Sequence, residues 1–403
     1  MRGGRNFVVS SHGRALRRAI AVPAVFLAAA AHGAPLLEIT PSLGVRYDSN
    51  VARASDEIAQ KRGIKPADWL LSPSINIQLD KALGSQSVYF NGDVGYDLYA
   101  RNHRLDRERI LLDGGARLHL SRCAATADTS LDLHQSDLSE LIDAAPAKNT
   151  ENIRKIALDA QCGGPIGIIP FAGVSRTWAS NSSRERKFAD YVTDEGRGGL
   201  AFAGPTFGQF AVIAQVRTTD YPDRNGIGLT SHFHVFSIGG RYTRDVGSRL
   251  NASISLSRTK VDTAPGFPTF TGLTSVVNVS MVASDNLKLQ ANWTRSVDPV
   301  SLGFGDFAID SRGSLDADYG LSPLLTLSAG AGSVRRQIEG ESFFFLVPQL
   351  QRERRLFAYA RLSYARSART NLSLEVRHER RRADPSSFNY DSTSVGLVLR
   401  MKF

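Results

Sequence analysis

At 403 residues, with 42% hydrophobic and 22% charged residues, the chain is long enough for two or three soluble domains or for one large β-barrel. Its mean hydropathy of -0.19 fits either class. No run of about 18 apolar residues follows the N-terminal region, which excludes a transmembrane helix. The formal charge of +10 depends strongly on that N-terminal region.

The first 33 residues have the composition of an export signal. A short apolar stretch, residues 20-31, follows five arginines, and Ala31-His32-Gly33 offers a cleavage site. A short buried helix is the alternative interpretation. Without these arginines, 44 Lys and Arg stand against 39 Asp and Glu, so the exported chain carries +5, which is weak support for nucleic-acid binding. We predict a signal peptide over 1-33 and no nucleic-acid partner. The five arginines are Arg2, Arg5, Arg14, Arg17 and Arg18.

From residue 34 onward, apolar and polar residues alternate with a period of two, which is typical of strands with one apolar face. The alternation is least clear from Gly167 to Asp220. Almost no helical segment is available to cover the apolar faces, so a closed sheet with lipid outside and water inside fits the pattern. At the C-terminus the residues that share the apolar face are Val395, Leu397, Leu399, Met401 and Phe403.

Short turns alternate with longer connections along the chain. GPTFG, ASDN and RSART are tight, whereas IDAAPAKNTEN and RADPSSFN are long. This asymmetry is typical of outer-membrane barrels, which have short periplasmic turns and longer external loops. The segments predict an all-β fold: a transmembrane antiparallel β-barrel of about 18 strands over residues 34-403, in the outer membrane of a Gram-negative cell. Sixteen strands is the main alternative.

The segment YDSNVAR, residues 47-53, ends the first predicted strand and resembles the opening strand of a bacterial outer-membrane family known as putative β-barrel porin 2. That resemblance implies an outer-membrane barrel of a kind often encoded in exopolysaccharide or capsule gene clusters, and it carries over no catalytic residue. Phe403 looks like the C-terminal assembly signal that is read by the barrel-insertion machinery. The residues that match the family motif are Tyr47, Asp48, Ser49, Asn50, Val51 and Arg53.

Polar residues on the strand face opposite the lipid are candidates for lining a water-filled pore. Acidic ones fall mainly on the second to fifth strands and basic ones on the last three. These strands form an acidic arc and a basic arc of the barrel wall. The two arcs predict either a transverse electric field that orients a charged solute or charges that neutralise one another across the lumen. The pore-lining candidates are Asp93, Asp97, Asp113, Arg117, His119, Asp132, His134, Arg241, Lys288, Gln290, Asn292, Arg361, Arg377 and Arg400.

Two cysteines, Cys123 and Cys162, lie beside turn-like sequence. An even number in an oxidising compartment favours a disulfide, here at the periplasmic end. We expect one up-down strand pair between them, which separates the strand ends by about 10 Å. A disulfide needs Cα atoms within about 7 Å, so the turns would have to lean together. Two free thiols are the alternative.

No nucleotide-binding, P-loop or zinc motif occurs in the sequence, and we predict no cofactor, no metal site and no enzymatic activity. One enzyme candidate needs weighing. Asp132, His134 and Ser136 share a strand face, with His119 on the neighbouring strand. A hydroxyl beside an imidazole could be the activated nucleophile of a lumen-lining hydrolase, although polar lumen residues are expected in any barrel.

The sequence therefore predicts an outer-membrane channel that passes hydrophilic solute or polymer, with exopolysaccharide export implied by the family resemblance. A general diffusion porin for small nutrients is the alternative, and the hydrolase is a second one. The expected partners are outer-membrane lipid and lipopolysaccharide, and the insertion machinery during assembly. Polymer export would add polysaccharide and proteins of an export system.

Overall fold

The structure is a computed structural model that describes residues 36-140, 148-224, 230-300, 305-340 and 350-403. The predicted signal peptide, residues 1-33, lies outside them. The described elements are β1 (Leu36–Asp48), α1 (Asp56–Lys61), β2 (Asp68–Leu83), β3 (Gln86–Tyr99), β4 (Arg107–Leu120), β5 (Cys123–Gln135), β6 (Thr150–Cys162), β7 (Gly167–Asn181), β8 (Tyr191–Gly204), β9 (Gly208–Asp220), β10 (His232–Val246), β11 (Leu250–Thr263), β12 (Phe270–Ser284), β13 (Leu287–Pro299), β14 (Phe307–Ser322), β15 (Leu325–Glu339), β16 (Arg352–Ser367), β17 (Thr370–Asp384) and β18 (Tyr390–Met401), with short 3₁₀ turns at His103–Leu105, Leu138–Glu140, Arg184–Ala189 and Ser386–Phe388.

The strands form one antiparallel sheet that closes on itself. Each strand pairs with its neighbours in sequence, and β1 pairs with both β2 and β18. The closing register runs from Ser42 opposite Arg400 to Asp48 opposite Ser394. Closure removes the free strand edges, whose backbone groups would find no partner in hydrocarbon. The predicted 18-stranded barrel is therefore confirmed, and the alternative of sixteen strands is wrong.

The two faces of the barrel wall differ in polarity, as strand β13 illustrates. Leu289 lies opposite Met281 of β12 and Ala317 of β14, on the face that leaves side chains such as Leu315 68% exposed. Gln290 lies opposite Ser280 and Asp316, on the other face. Because successive residues of a strand point to opposite faces, the same division runs around the ring. The outer face carries the apolar belt and the inner face surrounds the lumen.

The two ends of the barrel are built differently. At one end, which we call the turn end, strands are joined by two-residue connections such as 84-85 and 285-286. Strand β1 begins and strand β18 ends at this same end. Gly84 serves the first of these turns in the left-handed region, with φ +67°. At the other end, the loop end, the connections are longer, as in 49-67 and 182-190. Short turns and long loops are on the periplasmic and external sides of outer-membrane barrels, respectively.

Helix α1 lies in the first connection of the loop end, between β1 and β2. Ser55 Oγ accepts the Ile58 N–H at 3.4 Å and so caps its start. Glu57 and Lys61 form an ion pair of 2.8 Å on the exposed side, whereas Ile58 and Ala59 are buried. The helix thus turns one apolar side toward other parts of the protein. None of the helices in the described part of the chain is long and apolar enough to cross a membrane.

Cys123 and Cys162 form a disulfide at the turn end, with a Cα–Cα distance of 4.0 Å. Our expected spacing for this pair was wrong. Cys123 begins β5 and Cys162 ends β6, so the two residues lie directly opposite each other on adjacent strands. One strand spacing of about 4.8 Å replaces the two that the sequence suggested, and no leaning of the turns is required.

The register of β13 predicts which residues tolerate a charge. Lysine at Leu289 or Ala291 would enter hydrocarbon and should destabilise the barrel by about 2–4 kcal/mol. Lysine at Gln290 or Asn292 would meet the lumen and should change stability by less than about 0.5 kcal/mol. Urea unfolding of the four variants in lipid vesicles measures both effects.

A labelling experiment separates this barrel from a soluble sandwich, which would also penalise charge on an apolar face. Cysteine at Gln290 or Asn292 should react with a small water-soluble thiol reagent, in a background where Cys123 and Cys162 are both replaced by serine. Cysteine at Leu289 or Ala291 should react only with a lipid-soluble one. Equal labelling of all four positions would contradict the assigned faces.

Candidate functional site

The inner face of the wall carries all the predicted pore-lining candidates. Their strand positions alternate with the outward apolar residues, and each lies opposite another inward residue, as Asp113 does with Asn91 of β3 and Ser130 of β5. A cavity of about 670 Å³ opens where β1–β4 meet β16–β18. Candidates lining it are Asp93, Asp97, Arg361 and Arg400. Arg241 lines a second space, of about 460 Å³, between β9 and β13.

Charges on the inner wall are largely neutralised by near neighbours. Arg109 lies 3.3 Å from Asp93, so the acidic arc contains its own base. In the basic arc, Arg361 Nε donates to Glu375 at 2.7 Å, and Arg377 Nη2 donates to the next acid along β17, Glu379, at 3.5 Å. Of the two interpretations, local neutralisation therefore describes these residues better than a transverse field.

Apolar side chains fill part of the loop end from inside. The first mouth cluster joins helix α1 to the β3–β4 and β5–β6 connections, through residues that are almost fully buried. Arg62, at the end of α1, donates to the Leu138 carbonyl at 3.0 Å and fixes this packing. An apolar cluster of this kind stabilises loops by burying side chains that would otherwise be exposed to water. The first mouth cluster comprises Val51, Ala52, Ala54, Ile58, Ala59, Ile64, Leu105 and Leu138.

The YDSNVAR segment holds the start of this loop against the closing strand. The buried Asp48 carboxylate accepts the Asn50 N–H at 2.9 Å, Arg53 Nη2 at 2.7 Å and the Ser392 hydroxyl of β18 at 2.7 Å. Arg53 has a left-handed backbone, φ 50°. Asn50 Nδ2 donates to the carbonyls of Ala54 and, on β18, Asp391. The motif thus turns the chain inward just where β1 meets β18. Sequence reasoning recognised the motif but not this structural role.

The β5–β6 connection reaches across the lumen to the opposite wall. Asp137 Oδ2 lies 3.4 Å from Arg355 Nη1 of β16, which also contacts Glu353 at 3.1 Å. The fully buried Arg381 of β17 donates to the Ser139 carbonyl and pairs with Glu353. Strand β16 is seven strands away from β5, counted through β1 and β18. In a ring of 18 strands, the strand directly across the lumen would be nine strands away. We call Asp137–Arg355 and Ser139–Arg381 the cross-lumen contacts.

A second mouth cluster forms where the described end of the β13–β14 hairpin, residues 297-300 and 305-309, meets β9–β11. We call those residues the hairpin tip. Phe307 and Phe233 are both 0% exposed, and their ring centroids are 5.9 Å apart. Arg217 of β9 donates to the Val297 carbonyl of β13. Alternation places Val297, Phe307 and Ile309 on the outward face, so the tip has bent inward to bury them. The second mouth cluster comprises Tyr221, Phe233, Val235, Val261, Val297, Phe307 and Ile309.

Buried polar contacts fix the same hairpin tip to the β9–β10 connection. Arg224, 0% exposed, donates to the Gly305 carbonyl at 2.9 Å, and its guanidinium stacks over the Tyr221 ring. Asp306 accepts the Thr230 N–H at 2.8 Å. Burial raises the pKa of the Asp306 carboxyl even though Thr230 and Arg224 favour its charge. A third mouth cluster packs the other side of the tip: Val300, Ala308, Ile338, Leu350 and Phe388.

The hydrolase candidates do not form a nucleophile–base pair. His134 Nδ1 lies 2.9 Å from Asp132, and Nε2 lies 3.7 Å from Glu151. Ser136 Oγ instead accepts from Asn149 Nδ2 at 3.0 Å and from Arg186 Nη1 at 2.7 Å. An activated serine needs its hydroxyl hydrogen-bonded to the imidazole. The three residues therefore have a structural role and stabilise the inner wall and the β5–β6 connection.

Two other predictions concern single features. Among residues 36-140, 148-224, 230-300, 305-340 and 350-403, no group of three His, Cys, Asp or Glu side chains could hold a metal ion. Phe403 follows β18 at the turn end, is 76% exposed, and donates its N–H to the Ile39 carbonyl at 2.9 Å. Its role as an assembly signal stays a prediction.

Comparisons with known proteins find similar barrels among solved structures. The outer membrane protein OpdK of Pseudomonas aeruginosa is 12% identical, with a TM-score of 0.46 over 91% of this chain and 99% of that one. A BenF-like porin from Pseudomonas fluorescens Pf-5 is 12% identical, with a TM-score of 0.49 over 91% and 99%. OccK2 (OpdF) of Pseudomonas aeruginosa, in complex with glucuronate, is 11% identical, with a TM-score of 0.47 over 92% and 98%.

No family model and no curated protein matches the chain. The likeness to putative β-barrel porin 2 therefore remains a resemblance of the YDSNVAR segment. What the fold itself defines is a transmembrane β-barrel of the outer-membrane class.

The Asp137–Arg355 contact should control how firmly the β5–β6 connection is held. Because 39% of the Asp137 side chain is exposed, solvent screening limits its contribution to about 1 kcal/mol. We expect Asp137→Asn to raise the fraction of time that the connection is detached about fivefold. Single-channel recordings in planar bilayers should show correspondingly more frequent excursions to higher conductance.

The pH dependence of this contact follows from the pKa of Asp137. Desolvation opposes its ionisation, but Arg355, Ser139 and Arg381 outweigh that effect and lower the pKa to about 2. The contact is therefore complete above the ordinary carboxyl pKa of about 4 and is lost only as the pH falls toward 2. Wild-type recordings should not change between pH 5 and 8. Asp285→Asn, at a 98% exposed carboxylate of the turn end, is the control, and an equal effect there would contradict the assignment.

Proposed function

We propose that the protein is an outer-membrane channel that passes small hydrophilic solutes. The supporting observation is the combination of a closed barrel with a polar inner wall and a loop end narrowed by packed loops. Barrels of this size leave an aqueous channel unless loops plug them. Inner-wall polar residues, including the predicted pore-lining candidates, would contact the solute. The same proposal includes Phe403 as the signal read by the insertion machinery.

Passage of small solutes accounts for the loop end better than polymer export does. Three mouth clusters and the cross-lumen contacts occupy the loop end from opposite sides of the wall. Many of their side chains are almost completely buried, so the packing resembles a protein core more than mobile loops. An extended polysaccharide would have to displace several of these contacts at once, whereas a small solute needs only a gap between them. No contact among the described residues favours exopolysaccharide export.

Liposome swelling tests the size limit. Vesicles containing the protein should swell readily in a monosaccharide and at least about tenfold more slowly in a linear hexasaccharide. Replacing residues 51-66 by a short Gly-Ser linker removes helix α1 and much of the first mouth cluster, and should let the hexasaccharide enter. Lys61→Gln, which alters only the exposed side of α1, should leave both rates unchanged. Equal entry of the two sugars into wild-type vesicles would reject the proposal in favour of polymer passage.

A further inference from the structure

The outer face of β15–β17 carries a row of arginines at the loop end. Arg335 of β15 lies directly opposite Arg354 of β16, and Arg354 lies directly opposite Arg382 of β17. Arg352 and Arg380 flank this row on the same face. Like charges placed directly opposite each other destabilise a sheet, so an arrangement of two such pairs calls for an external counter-charge. We call these five residues the outer arginine cluster.

The cluster lies immediately beyond the apolar belt. On β16 the outward residue after Arg354 is Leu356, 39% exposed, and on β17 the belt ends at Val376, 43% exposed, before His378 and Arg380. Toward the loop end of each strand, aliphatic side chains, which suit contact with acyl chains, are therefore followed by guanidinium groups. This is the depth of the lipid headgroups on the loop side of the membrane.

Protein carboxylates neutralise the cluster only in part. Asp391 contacts Arg382 at 3.0 Å and Arg380 at 3.7 Å. Asp384 lies opposite Arg352, and Glu339 accepts from Gln337 at 2.7 Å. Five arginines therefore face three carboxylates, an excess of two positive charges. Among the residues that the structure describes, Arg335, Arg352 and Arg354 have no ion-pair partner.

Elsewhere on the outer rim, some cations are paired with acids, whereas others, such as Arg258 of β11, have no ion-pair partner among the described residues and no cation directly opposite them. Arg176 of β7 lies 3.5 Å from Asp194 of β8, and Lys260 of β11 lies 2.8 Å from Asp262. These side chains are likewise outward and about half exposed. Charged residues at the membrane boundary are thus general in this barrel, but an unbalanced row of guanidiniums is a specific property of β15–β17 in the described chain.

We propose that the outer arginine cluster binds the phosphate groups of lipid A in the outer leaflet. Guanidinium groups present paired N–H donors that match phosphate oxygens bidentately. Cross-strand spacing places the three arginines of the row over about 10 Å, enough to surround one headgroup phosphate. The adjacent Leu356 and Val376 would contact the acyl chains. The inference rests on the proposed outer-membrane location and is independent of what the channel passes.

Native mass spectrometry of the full barrel in detergent tests the site. Diphosphoryl lipid A, monophosphoryl lipid A and phosphatidylcholine are the probes. The triple variant Arg335→Gln, Arg354→Gln, Arg382→Gln should bind diphosphoryl lipid A at least about tenfold more weakly than wild type. Wild type should bind the diphosphoryl form more tightly than the monophosphoryl form. Wild type and the triple variant should bind phosphatidylcholine equally. The matched control, Arg176→Gln, Arg258→Gln, Lys260→Gln, removes three outward cations elsewhere and should bind like wild type.

Two further measurements keep the outcome unambiguous. If the phosphate site is correct, the triple variant without lipid should resist heat at least as well as wild type, because the repulsion within the row has gone. If the triple variant does not fold, Arg354→Gln alone, at the centre of the row, replaces it and should weaken binding at least threefold. Unchanged lipid A affinity, or equal loss in the control, overturns the proposal. Liposome swelling of the same variants reports on the channel separately, so either proposal can fail alone.

Discussion

A backbone inside a lipid bilayer has no water with which to form hydrogen bonds, and this constraint determines the rest of the structure. Each unpaired N–H or C=O group in hydrocarbon costs several kcal/mol, so the sheet has to close. Closure depends on β1, which pairs with β2 on one side and with β18 on the other. The first and last strands of the chain are thereby brought together, and every strand acquires one face toward lipid and one toward the lumen.

Closure also creates the problem that the loops solve. A ring of 18 strands surrounds a wide space, and connections at the loop end would be unprotected there. The chain fills that space with side chains from the wall and from its own loops. Asp48 shows how closely the two are linked, because a single buried carboxylate on β1 binds Arg53 of the first loop and Ser392 of the closing strand. The seam of the barrel and the entrance to its lumen are therefore stabilised together.

Charge is handled differently on the two sides of the wall. Inside, bases such as Arg361 and Arg355 lie beside acids on the same or adjacent strands. Partly buried ion pairs such as Arg53–Asp48 link loops to the wall. Removing one partner of such a pair would leave the other uncompensated. Outside, the row of Arg335, Arg354 and Arg382 has fewer acids than bases around it. Protein carboxylates provide the counter-charges within the lumen, whereas outside we propose that lipid phosphates provide them.

The strand faces and the difference between the two ends could be read from the sequence alone, whereas the strand number was left between 18 and 16 until the closed sheet was seen. A period of two is a property of each strand's own backbone, so Gln290 and Leu289 could be assigned to opposite faces without knowing any neighbour. The segment from Gly167 to Asp220 was least clear because glycines such as Gly173, Gly196 and Gly198 interrupt the alternation, yet it forms β7, β8 and β9. The inward candidates were found by the same local rule.

The contacts that those faces make depend on the closed barrel and could not be read from the alternation. Alternation places Phe307 and Ile309 with the lipid-facing residues, but the bent hairpin tip buries them against Tyr221 and Phe233. Likewise, Cys123 and Cys162 proved to be direct neighbours, and the contacts of Ser136 run to Asn149 and Arg186 rather than to His134. Local pattern fixes the direction in which a side chain points, whereas its partner depends on which distant segments closure brings within reach.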